Sequence, residues 1–126
     1  ELKLVSGVIM NRLRSGIPLG MDSTIVYEFT EGNPKNMRSI KQSDLEKNTK
    51  YNTRKFSGLP PSAIGNPGKL AIEAALNPEK TEFLYFVADG SGGHIFAKTL
   101  KEHNKNVAQW RKIEKKRKNS KNKISK

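Results

Sequence analysis

The stretch "GIPLGMDSTIVY", Gly16 to Tyr27, sets one carboxylate, Asp22, between two mostly apolar runs. Three kinds of work suit such a group: general acid, contact to a polar substrate, or cap on the free N–H groups of a helix. Asp22 is the most embedded of the chain's twelve acids. Glu73, within "AIEAAL", falls by default on a solvent-facing position. Ser and Thr are scattered, without the strand–turn–helix setting of a nucleophile elbow. There are no cysteines, which removes disulfides, thiol nucleophiles and Cys-ligated zinc. Carboxylates therefore carry any acid–base chemistry.

His94 and His103 are the only histidines, and two without a third partner make a weak metal site. No metal is expected. Hydrogen bonding is the plain reading for both. Substrate contact is the sharper one for His94, because Gly92 and Gly93 leave room beside it. "ADGSGGH" has a superficial likeness to a phosphate loop, but it lacks the Walker spacing and lies inside a hairpin, so no nucleotide or other cofactor is expected. Phe83, Tyr85, Phe86 and Phe96 read as core. Tyr51, in the polar "YNTRKF", is better placed for a binding surface.

Helices and a hairpin must position these groups. Leu2, Val5, Ile9 and Leu13 recur at helical spacing and predict a helix over 2–15, stopped by Gly16 and Pro18. Asp22, Ser23 and Thr24 can start a second helix, although the β-branched residues of "STIVYEF" also suit a strand. "EGNPKN" is a loop. "SDLEKNTK" predicts a short helix with Ser43 as cap and Glu46 at capping-box spacing. "FSGLPPSAIGNPG" is a long irregular stretch, and Asn66-Pro67 resembles a cap followed by a first-turn proline. "GKLAIEAAL" predicts a compact helix that ends before Pro78. "FLYFVADGSGGHIFAK" predicts a β-hairpin with a glycine-rich loop, and a last helix starts near Thr99. The class is α+β: a small domain of helices with a β-hairpin and long Pro/Gly-rich loops bordering a cleft.

The 126 residues suffice for one domain with a core. Charge is uneven. Residues 111–126 hold nine Lys or Arg and one acid, a net of +8, whereas the first 110 hold fifteen basic and eleven acidic side chains, a net of +4. The reading is a folded part over 1–110 and a basic, flexible tail over 111–126. No apolar run approaches the ~20 residues that cross a bilayer. The chain opens on Glu1, directly in a helical pattern, and reads as a piece of a longer protein.

Several segments follow one another in a telling order: "GVIMNRLRSGIPLGMDSTIVY", "YNTRKFSGLPPSAIGNPG" and "AALNPEKTEFLYFVADGSGGHIFAKTLKEHNKNV". Over about residues 2–110 the chain resembles the C-terminal catalytic region of the YceG-like endolytic murein transglycosylases. The resemblance implies anchoring in the bacterial inner membrane by a single N-terminal helix outside this sequence, with this region on the periplasmic side. It implies internal cleavage of peptidoglycan glycan strands between N-acetylmuramic acid and N-acetylglucosamine, leaving 1,6-anhydro-muramic acid ends. One carboxylic acid suffices for that reaction. It protonates the leaving oxygen, then deprotonates the sugar's own 6-hydroxyl.

In the family, that glutamate stands shortly before the segment matching "GVIMNRL", so the resemblance implies no catalytic residue within this chain. Glu1 matches a later acidic position. Asp22 matches the family's aspartate, and is expected to cap the following turn and face the cleft. Asn11, Tyr51, Asn52 and His94 also match motif positions and are the other substrate-binding or supporting candidates, with "GLPPSAIGNPG" as a cleft wall. The partners implied are peptidoglycan strands and proteins of cell-wall synthesis, with no nucleic acid. The chain alone is expected to be inactive. Two rival readings remain: a non-catalytic glycan-binding module, and a basic adaptor acting on nucleic acid or anionic surfaces through residues 111–126.

Overall fold

A computed structural model describes the backbone of residues 1–124 and the side chains of residues 1–119. Five helices and one hairpin appear in the order α1 (Leu2–Ser15), α2 (Asp22–Thr30), α3 (Gln42–Glu46), α4 (Lys69–Leu76), β1 (Tyr85–Ala88), β2 (His94–Ala97), α5 (Leu100–Ile124). A single 3₁₀ turn, Pro34–Asn36, follows α2. The expected α+β class is the observed one.

α1 ends where its sequence says it must. Gly16 takes φ 68°, a left-handed conformation open to glycine. The Gly16 and Ile17 N–H groups then bond back to the Leu13 and Arg12 carbonyls and close the last turn. The caps of the next three helices differ from expectation. Met21 is the N-cap of α2, and Asp22, the first helical residue, makes no capping hydrogen bond. Thr53 anchors the head of the helix instead: its hydroxyl accepts from the N–H of Met21, the residue before the helix, at 2.9 Å and meets the Thr24 hydroxyl at 2.9 Å. α3 starts after Lys41 rather than Ser43, and the Asp44 carboxylate accepts the Lys41 N–H at 2.8 Å. α4 starts after Gly68, two residues beyond the Asn66-Pro67 step. At α2 and α3 a distant hydroxyl or a better-placed carboxylate supplies the acceptor, which sequence spacing alone does not reveal, whereas α4 has no side-chain cap.

β1 and β2 pair antiparallel, with Phe86 opposite Phe96 and Ala88 opposite His94. Gly90 and Gly92, at φ 91° and 93°, turn the loop between them. Asp89 pins it by accepting the Ser91 N–H at 2.8 Å and hydroxyl at 2.6 Å. α5 packs across both strands, while α1 lies between the hairpin and α4. Residues 111–124 continue α5, where Ile113 packs against Gly90 and Arg117 donates to the Gly90 carbonyl. Residues 125–126 lie outside the described residues.

The core is small: Val8, Leu19, Ile25, Ala74 and Ala97. It closes around one tight crossing. The Glu79 N–H donates to the Lys3 carbonyl at 3.0 Å, which draws the chain leading to β1 onto α1 at Gly7. A Cβ at Gly7 would collide with the Glu79 carbonyl oxygen. Replacement Gly7→Ala should therefore cost about 1–3 kcal/mol despite alanine's higher helix propensity. A lower midpoint of urea unfolding is the expected reading, and an unchanged or higher one would contradict the close approach.

Candidate functional site

An open cleft of about 560 Å³ lies between α1, the α1–α2 connection, β1 and α5. Val8, Ile9, Leu84, Leu100 and Val107 give it an apolar floor, and Arg12, Asp22, Arg54, Tyr85 and His103 give it polar atoms.

Arg12 organises this cleft. It lies on the α1 face that carries Val8, one turn back. Its Nε donates to the Leu84 carbonyl, and its guanidinium donates to the Pro18 carbonyl at 2.7 Å. The guanidinium also sits 4.8 Å from the Tyr85 ring centre. Beyond Tyr85, the His103 ring of α5 is stacked at 4.9 Å with 22° between planes. Three elements thus meet in one cation–aromatic–imidazole stack. Burial lowers the Arg12 pKa, though a guanidinium stays charged at any working pH. Burial first, and the Arg12 charge second, lower the His103 pKa. His103 is therefore held neutral. Its Nδ1 is buried with no hydrogen-bond partner, alone in this among the described buried side-chain nitrogens and oxygens.

Arg54 donates from Nε and Nη2 to one Asp22 oxygen, each at 2.7 Å, at the cleft mouth. Both side chains are about half exposed, so the pair contributes little to stability, on the order of 0–1 kcal/mol. One Asp22 oxygen stays free for a ligand, whereas the expected helix cap is absent.

The other sequence candidates lie apart from this cleft. Asn11 donates to the Thr81 and Phe83 carbonyls at 2.8 and 2.9 Å, fastening α1 to the segment before β1. Asn52 is fully buried, donates to the Leu45 and Lys47 carbonyls at 2.9 Å each, and accepts the Arg54 N–H at 3.2 Å. It cannot touch a substrate; its work is to hold the loop that carries Arg54. Tyr51 meets the Ser62 hydroxyl at 2.6 Å and packs its ring 5.5 Å from that of Tyr27. His94 bonds through Nδ1 to the Glu1 carboxylate at 2.8 Å and sets its ring against the edge of Phe86 at 5.4 Å. The stretch "GLPPSAIGNPG" supplies no residue to the cleft wall. Its Leu59 is 71% exposed instead.

Sequence reading missed Arg12, Arg54, Tyr85 and His103 as site residues. Arg12 had a usable signal, a cation at the helical spacing of the apolar stripe. The others depend on a pairing across the chain that no local pattern carries. Three carboxylates have a displaced pKa, and all are displaced downward. The His94 hydrogen bonds act on Glu1, the Arg38 guanidinium on Asp44, and the Ser91 donors on Asp89. A general acid needs the opposite shift. Among the described residues no group of three or more metal-ligating side chains forms, and no helix is long and apolar enough to cross a membrane.

A helical cleft domain with this motif order has known relatives. The YceG-like family profile matches residues 1–109, and the chain belongs to that family. It is 44% identical over 101 residues to the endolytic murein transglycosylase of Bacillus subtilis, covering 80% of this chain and 27% of that protein. It is 34% identical over 111 residues to the enzyme of the same name from Streptococcus pneumoniae, covering 86% and 20%. The crystal structure of a YceG-like protein from Listeria monocytogenes superimposes with a TM-score of 0.70 at 41% identity, over 82% of this chain and 32% of that one. The chain spans about a quarter of the length of the curated relatives it matches.

Two outcomes separate the support from the cleft. Asn52→Ala strips two carbonyls and one amide of their partner and should cost about 2–4 kcal/mol in unfolding, whereas Asp22→Ala should leave the urea midpoint nearly unchanged. Equal losses would overturn the division. His103 adds a pH term. Its folded pKa lies below its unfolded value near 6.5, so the unfolded chain binds the proton first as pH falls. That part of the stability is present above about pH 6.5 and is lost as pH drops through the folded pKa. Melting curves from pH 8 to pH 5 should show it, and His103→Phe should flatten the slope in that window.

Proposed function

We propose that this chain is the substrate-holding part of a peptidoglycan lytic transglycosylase that cleaves glycan strands internally, between N-acetylmuramic acid and N-acetylglucosamine, with 1,6-anhydro-muramic acid as the product end. The observation that carries this reading is the cleft itself. A sugar ring presents an apolar face and a rim of hydroxyls. The apolar floor with Tyr85 suits the face. The guanidinium of Arg12 and the free Asp22 oxygen suit the rim. The curated relatives bear the name of that activity, which supports the choice of glycan over other polyols.

The chemistry asks for one protonated carboxylic acid at the glycosidic oxygen, later a base for the 6-hydroxyl. No carboxylate of this chain is placed for it: Asp22 is paired with Arg54, and Glu1 is held by His94. The acid therefore comes from residues outside this sequence, in the longer protein that the relatives resemble. That protein works at the cell wall, on the extracytoplasmic face of the inner membrane, alongside the proteins that build the wall. Here the resemblance is the support.

Digestion of purified peptidoglycan, read by mass spectrometry, tests this. The chain alone should release no anhydro-muropeptides, since loss of a general acid costs about 10²–10⁴ in rate and loss of the sole one at least as much. A chain extended at its N-terminus to the length of the B. subtilis relative should release them. In that longer chain, Arg12→Gln should raise KM more than it lowers kcat. Anhydro ends from the present chain alone would move the acid into it.

A further inference from the structure

The cationic surface of α5 plays no part in the cleft. At 100° per residue, Lys101, Lys105, Lys112, Lys115 and Lys116 fall within an arc of about 100° on that helix. All five side chains are exposed. Ala108 and Asn119 fill the rest of the arc, and the two acids in this part of the helix, Glu102 and Glu114, lie outside it. The stripe runs about 22 Å along the axis, with cations one turn apart at each end and a two-turn gap at Ala108 between Lys105 and Lys112. Its direction is fixed from behind. Ile113 packs against Gly90, Arg117 donates to the Gly90 carbonyl, and the same guanidinium lies 5.8 Å from the Trp110 ring. The helix therefore cannot roll its charges away. Much of the stripe also lies beyond residue 109, where the family match stops.

We infer that this stripe is a docking surface for a linear, base-free phosphodiester polymer of the polyol-phosphate kind. The chemistry of the stripe selects that partner. Cations in a row, without an acid among them, follow a chain of single negative charges. A bilayer surface is a poorer fit, because a helix lying in one inserts Trp, Phe or Leu beside its cations. Here Trp110 and Ile113 face the protein instead. Single-stranded nucleic acid is held by aromatic stacking as well as charge, and the stripe offers no ring. A duplex groove would have to admit the hairpin loop that sits against α5 at Gly90, and a major groove has room for little more than a helix. This docking goes beyond the glycan cleft and does not depend on it.

The test uses the full chain with poly(glycerol phosphate) oligomers. Two further probes run beside it: single-stranded DNA of equal charge, and vesicles of phosphatidylglycerol and phosphatidylethanolamine in equal parts. With five cations engaged, the logarithm of the binding constant should fall with the logarithm of salt at a slope of about −3 to −4. Replacing Lys112, Lys115 and Lys116 together by Gln should shallow that slope by about 2 units and weaken binding at least about ten-fold. Replacing Lys35, Lys41 and Lys50 by Gln removes the same charge elsewhere and should leave affinity within about two-fold. Equal losses in the two variants would reduce the stripe to net charge and overturn the proposal. Tighter binding to the DNA or the vesicles than to the oligomers would overturn the partner. Circular dichroism of each variant should keep the helical signal of the parent, and an oligomer affinity insensitive to the stripe in a folded variant would also refute it.

Discussion

The Arg12–Tyr85–His103 stack is the interaction on which the arrangement of the chain depends. α1 lies far along the chain from the hairpin, which leads into α5 after only Lys98 and Thr99. Arg12 joins them through directional contacts. It donates to the Leu84 carbonyl where the chain enters β1 and to the Pro18 carbonyl where it leaves α1, and it presses the Tyr85 ring toward α5. A lysine could supply the charge but not the planar fork that reaches both carbonyls while stacking on a ring. Burial first, and the same guanidinium second, lower the His103 pKa, so Arg12 contributes to both the geometry of the cleft and its state of charge.

A small apolar core shifts work onto polar side chains. Asn52, Thr53, Asp44, Thr24 and Thr30 are as buried as the core aliphatics, and each has hydrogen-bond partners. Buried polar groups of this kind add little when satisfied and cost much when one partner is lost, so they specify the fold more than they stabilise it. Asp44 shows the pattern. Arg38 grips its two oxygens at 2.7 and 2.9 Å while lying 4.0 Å from the Phe29 ring. The pair thereby ties α3 to α2 across a loop that has no core of its own.

What was legible in the sequence follows from the range of each interaction. α1, α4 and the hairpin were readable because apolar spacing and glycine placement are local. Caps were misread wherever the acceptor came from far along the chain. Thr53 at the head of α2 is the clearest instance, and it also displaced Asp22 from its expected role. Asn52 shows how a motif position can mislead. It stands beside Tyr51 in "YNTRKF", yet it faces inward because three backbone groups, one at the end of α3 and two of its own loop, need it. Family likeness pointed to the neighbourhood, but only the fold shows which member of each motif reaches the cleft.

The charge pattern of the cleft constrains any chemistry performed there. A carboxylic acid keeps its proton near neutral pH only in apolar or like-charged surroundings. Arg12 and Arg54 act in the other direction, and a carboxylate set beside either would ionise more readily. The two guanidiniums therefore suit the holding of a substrate better than the protonation of one. An acid brought to this cleft can stay protonated only on the side where Asp22 neutralises Arg54 and where Arg12 is turned into its own backbone contacts. The apolar residues of the cleft, Val8, Leu100 and Val107 among them, can desolvate such an acid. Substrate grip and proton donation thus demand opposite environments, which is a physical reason for drawing them from different stretches of chain.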